Sequence, residues 1–269
     1  MVFNNNYIRK KSKHHNAYNL VMNNVTIERV KSIKFLGVYI NDKLNWNDHK
    51  EYIRIKISRN LGIIYKCRNI FTKEDLITMY NCFVLPYLLY CVPLWGGSVQ
   101  SENDTIIKIQ NKVIRILFNV KRSDDGWYEV KNKLLPIKEL YKVEIAKFCF
   151  KHVNNTLPEH FSHYVMPSFT TSVHNVPTRH SCHLNYLVEA GLYTPSASKS
   201  FTTQCTRVWN SIPNLLKTHS NVLNSPMGKF CLSIKNYYLW VLNNTQNNLI
   251  NSKNQYLPAT RCQIILSSL

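Results

Sequence analysis

The only Asp-Asp pair in the chain is Asp124–Asp125, in "VKRSDDGWYEV". Adjacent aspartates are suited to holding two divalent metals, which clamp the attacking and leaving oxygens of a phosphoryl transfer. That chemistry wants the pair on a tight turn between apolar strands, with a third Asp on a neighbouring strand. Here Lys121, Arg122 and Gly126 flank the pair and no third Asp stands in a strand context, so it reads as a solvated loop between helices. A second cluster, "HNVPTRHSCH", supplies His174, His180, Cys182 and His183. Structural zinc takes two separated ligand pairs, and the second pair is missing here, with only Cys205 to help. No metal is assigned. There is no GxSxG and no Gly-rich phosphate loop, so nucleophilic and nucleotide chemistry have no foothold either.

Cations are what the chain has in surplus. Its 34 Lys and Arg against 15 Asp and Glu give a net charge of +19, and no acid follows Glu189. Such a surplus repels itself in a compact state unless a polyanion is near, which favours a nucleic-acid partner; a ribosomal or membrane-surface role would share the total. The cations are also arranged. Lys56, Arg59 and Lys66, with Tyr52, fall on one helix face, and Lys108, Lys112 and Arg115 on another. Either stripe alone is what a solvated face looks like. Two of them in so acid-poor a chain point to backbone binding with an aromatic at hand. Nothing suggests a small-molecule substrate.

Those stripes need elements to hold them. A basic tail (1–17) precedes "YNLVMNNVTIERV", which reads as two short strands around an Asn-Asn turn. "IKFLGVYI" reads as a third strand. Asn47 and Asp48 are N-cap residues for a helix to about Arg68, with Ile53, Ile57, Leu61 and Ile64 as its buried stripe. Thr72, Glu74 and Asp75 open a second helix carrying "LITMYNCFVLPYLLYCVPLWG". Its apolar run from Phe83 to Trp95 is shorter than the roughly 20 residues of a membrane span and holds two prolines, so it is expected to be buried in protein, with no membrane partner. Ser101 opens a third helix, with Ile106, Ile109, Val113 and Ile116 inward, and Pro136 begins a fourth. Residues 157–200 read as an irregular linker, 201–242 as a small helical piece, and 243–269 as an Asn-rich tail to which no structure is assigned. The fold class is mainly α with a small N-terminal β element. Eight scattered cysteines without a CxxC pair, and no signal peptide, imply reduced thiols in the cytoplasm or nucleus.

Several short motifs in order resemble the segment after the catalytic palm in reverse transcriptases of non-LTR (LINE-type, jockey-like) retrotransposons. They are "KFLG" at Lys34–Gly37, D-x-L-x-W-x-x-H at Asp42, Leu44, Trp46 and His49, and P-x-L-x-Y from Pro86 to Tyr90. Trp95-Gly96, the Q-x-K-x-x-R of Gln110, Lys112 and Arg115, and the later "LLPIKELY", "LPEHF", "VPTR" and "VWNSIP" continue the series. The likeness runs from about Ala17 to Leu242. It implies the edge of a polymerase palm over 18–46, a helical thumb-like bundle over 47–156, and RNA and DNA template–primer as partners. Phe35, Leu36 and Gly37 would take the primer-grip position, and the basic helix faces would follow the template–primer backbone. The parent enzyme would use Mg, held by aspartates including a Tyr-x-Asp-Asp turn. That turn does not occur in this sequence, so the chain is expected to be a fragment that binds without polymerising and carries no cofactor.

Overall fold

The computed structural model describes residues 21–28, 30–99, 101, 104–121, 133–154, 156–158, 161, 200–213, 216–217 and 227–250. The Asp124–Asp125 pair, the His174 to His183 cluster, the basic tail and most of the expected linker lie outside them. The chain divides into two compact units, one within Met1–Cys91 and Ser98–Leu117, the other within Val92–Gly97 and Phe118–Leu269. The helices expected as one bundle over 47–156 are thus shared between the two.

In the first unit, β1 (Val21–Met22) and β2 (Val25–Thr26) pair antiparallel around Asn23 and Asn24. Both turn residues have positive φ, 49° and 60°, a pattern that asparagine tolerates and that matches the twist of a tight hairpin. "IKFLGVYI" departs from expectation. It is two strands, β3 (Ser32–Phe35) and β4 (Val38–Asn41), folded back around Leu36 and Gly37 at φ 45° and 83°. A strand cannot continue through two left-handed residues, so the glycine that looked like an interruption is the reversal itself. The two hairpins form separate two-stranded sheets.

Helix α1 (Asn47–Cys67) buries Ile53, Ile57, Leu61 and Ile64 as the spacing predicts. Its N-cap is not Asn47 or Asp48, which are already helical, but Trp46, at φ 62° and with no side-chain cap bond. Asn45 accepts the Asn47 N–H at 3.1 Å through its Oδ1, which the Asn41 amide also reaches at 2.7 Å. Helix α2 (Lys73–Phe83) opens with a reciprocal box: Thr72 Oγ1 accepts the Asp75 N–H, and the Asp75 carboxylate accepts the Thr72 N–H, each at 3.3 Å. The single helix expected to carry the apolar run to Trp95 is instead α2 followed by the short α3 (Leu85–Leu89) and α4 (Val92–Trp95). Pro86 and Pro93 supply no N–H and crowd the preceding turn, so each starts a new short helix. Helix α5 (Thr105–Phe118) is capped by Asp104, not Ser101; Asp104 Oδ1 accepts the Ile106 N–H at 3.0 Å. It buries Ile106, Ile109 and Val113 as expected, with Leu117 closing the stripe where Ile116 is only half-buried. A Lys50–Asp104 ion pair at 2.9 Å, with both side chains about nine-tenths buried, ties the head of α1 to that of α5.

In the second unit, α4 lies on α6 (Ile137–Val153), with Gly96 so close that a Cβ there would meet the Tyr141 ring at 2.6 Å. Pro136 precedes α6 in extended conformation. Helix α7 (Phe201–Ser211), capped by Ser200, packs on α6 and buries Cys205, Val208 and Trp209. Helix α8 (Met227–Ile250) stacks Phe230 on Phe150, centroids 4.2 Å apart. It runs beyond the expected end near residue 242. Once Phe230, Ile234 and Tyr238 are buried, each further Asn or Gln adds a helical hydrogen bond without a new nucleation step. The described residues are therefore mainly helical, with two small antiparallel strand pairs near the N-terminus. No helix among the described residues is long and apolar enough to cross a membrane.

Candidate nucleic-acid interface

Register brings the first residues of the candidate site together. In the second hairpin Lys34 stands directly across from Tyr39, one pair back from the tip. Helix α1 packs against β4 and places Tyr52 beside them, with the Tyr39 and Tyr52 ring centroids 5.1 Å apart and the planes tilted by 46°. Lys34 Nζ lies 5.9 Å from the Tyr39 centroid and 5.4 Å from that of Tyr52, and Lys56 Nζ lies 5.6 Å from Tyr52. Two ammonium groups thus share one ring. Two cations on one ring make this a corner of positive charge, which suits an anion.

His49 fixes the corner from beneath. Only 1% exposed, it accepts the Tyr39 N–H through Nδ1 at 3.4 Å and lies stacked near Tyr52, centroids 6.3 Å apart. Burial lowers its pKa, which keeps Nδ1 available as an acceptor. The histidine of the D-x-L-x-W-x-x-H motif is thereby a brace between β4 and α1.

Along α1, Tyr52, Lys56, Arg59 and Lys66 recur at steps that keep them on one face, with Arg59 and Lys66 exposed. From Lys56 to Lys66 the helix rises about 15 Å, which is the axial rise of roughly four nucleotides along one strand of a duplex. Arg54 is not part of this set, because Glu51 engages its guanidinium at 2.6 and 2.7 Å. That bond also draws the Glu51 carboxyl below its usual range.

The remaining sequence-predicted residues are placed differently. Phe35 and Leu36 stand out at the hairpin tip, 61% and 76% exposed, and Gly37 completes the turn. Tyr90 holds the tip by donating its hydroxyl to the Leu36 carbonyl at 2.6 Å. Lys108 and Lys112 are exposed on α5 and Arg115 is half-buried, joined to one another by helix spacing. The ring–cation corner contains Tyr52 and Lys56 of the expected set. Lys34, Tyr39 and His49 were missed as site residues; Lys34 and His49 stand in the quoted motifs, but that they meet Tyr39 needs the hairpin register to be read.

An open cavity of about 460 Å³ at the head of α1 is lined by Asn47, Asp48, Lys50, Glu51, Asp104 and Thr105. Its Asp104 and Glu51 carboxylates are engaged by Lys50 and Arg54. No group of three or more His, Cys, Asp or Glu among the described residues is placed to hold a metal ion. Comparison of the chain with protein-family models, with curated proteins and with solved structures found no match.

Proposed function

We propose that this chain binds nucleic acid through the hairpin and α1 of its first unit, as the primer-grip and thumb part of a non-LTR retrotransposon reverse transcriptase. The observation that carries the reading is the ring–cation corner: Lys34 and Lys56 gathered on Tyr39 and Tyr52, continued along α1 by Arg59 and Lys66. Ammonium and guanidinium groups spaced along a helix face neutralise phosphates without reading bases, and aromatic rings beside them suit the bases of a strand. The exposed Phe35–Leu36 tip, one residue pair from the corner, would lie against the end of the same strand. Such binding requires no Mg, and the sequence presents no Tyr-x-Asp-Asp turn to hold it. The chain acts in this reading as a binding element, whether within a polymerase or as a protein derived from one.

A salt series tests it directly. With four phosphates neutralised, the logarithm of the association constant for a single strand should fall against log salt with a slope of about −3. Lys34→Ala and Lys56→Ala should each reduce that slope by about 0.7. An affinity that stays level from low to high salt would remove backbone binding.

A further inference from the structure

Phosphate attraction explains the lysines of the corner but not why two tyrosines from different elements stand together there. We propose that the Tyr39–Tyr52 pair is a stacking site for an unpaired base of single-stranded nucleic acid, with Lys34 and Lys56 leaving the rings for the phosphates on either side. The inference rests on the nucleic-acid reading above and narrows its ligand. Three features support it. The rings meet at 46° with centroids 5.1 Å apart, so they form a bent platform instead of a closed stack that would satisfy both faces. They stand on separate elements, β4 and α1, held in register by the Tyr39 N–H to His49 bond, which keeps the platform fixed before a ligand arrives. Both rings are half-buried, so each keeps part of its surface open to solvent.

The lysines do not oppose the exchange. A cation–π contact at an exposed position is weak, whereas an ammonium donating to phosphate makes a charge-assisted hydrogen bond of the stronger class. A duplex would engage the same cations but keep its bases stacked on each other, offering none to the platform.

The test compares three labelled ligands of equal charge by fluorescence anisotropy on the full chain: oligothymidylate, an abasic deoxyribose-phosphate strand of the same length, and a duplex. Oligothymidylate should bind roughly five- to 150-fold more tightly than the abasic strand. Tyr52→Leu should lose that preference while keeping the salt slope, and Tyr52→Phe should keep both. Photocrosslinking of a bromodeoxyuridine strand to the unaltered protein should mark a peptide within residues 31–56, a readout that needs no variant to fold. Equal affinity for oligothymidylate and the abasic strand would overturn the stacking site while leaving the nucleic-acid reading intact. So would crosslinks confined to other segments, or a folded Tyr52→Leu that keeps the preference. Failure to bind any of the three would overturn the underlying reading and the site together.

Discussion

A methyl group at position 37 would meet two obstacles at once. The backbone there has φ +83°, where an L residue is strained, and a Cβ would come to 3.1 Å from the Tyr90 ring. Gly37→Ala should therefore cost about 1–2 kcal/mol from the backbone alone, visible as a lowered urea midpoint, with the Tyr90 to Leu36 bond lost in addition. His49 governs the same hairpin by its charge state. Burial lowers its pKa, so the unfolded chain takes up a proton that the folded chain resists. That stability is present in full above the ordinary histidine value of about 6.5 and is lost as pH falls below it, through the lower folded pKa. Urea midpoints measured from pH 7.5 to about 5 should show the loss, and His49→Asn, which keeps an acceptor for the Tyr39 N–H, should flatten it relative to the unaltered chain. Lowered Glu51 belongs to a more acid range and does not confuse this window.

Between elements, Asp104 performs two tasks with one carboxylate. Oδ1 caps α5 through the Ile106 N–H, and Oδ2 receives Lys50 of α1 at 2.9 Å. Removing one partner of a largely buried pair strands the other charge, at a cost of about 3–5 kcal/mol. Asp104→Ala should lose this and the cap together, whereas Asp104→Asn keeps a capping oxygen. The Asn variant should thus be the more stable of the two by about 1 kcal/mol in urea unfolding. The element scale also shows where helix periodicity misleads. The run from Leu76 to Trp95 is apolar enough for one long helix, but Pro86 and Pro93 divide it, so the length of an apolar pattern does not set the length of a helix.

At the scale of the molecule, an acid-poor chain of net charge +19 presents cations along two helices. Two-metal phosphoryl transfer depends on carboxylates fixed on a turn, and the sequence holds no Tyr-x-Asp-Asp. Purified chain with primer, template and added magnesium should extend no primer above background in a gel assay, even where the same preparation retains the nucleic acid on a filter. Template-dependent extension would assign it an active site of its own.

The helices were legible in the sequence because their cause is local. Ile53, Ile57, Leu61 and Ile64 recur every three or four residues, Thr72 and Asp75 form a cap within one turn, and such patterns need no distant partner. The basic stripes were legible for the same reason. What the tertiary structure alone decided is which residues of different elements meet. Lys34 joins Tyr39 only through the hairpin that Leu36 and Gly37 close, and Tyr52 joins both only because α1 packs on β4 over His49. The Asn45 side chain ahead of α1 and the Asp104 cap of α5 were likewise fixed by neighbours, Asn41 in one case and Lys50 in the other. A periodic face follows from the geometry of one backbone, whereas a site made by two elements follows from register and packing, which a linear pattern does not contain.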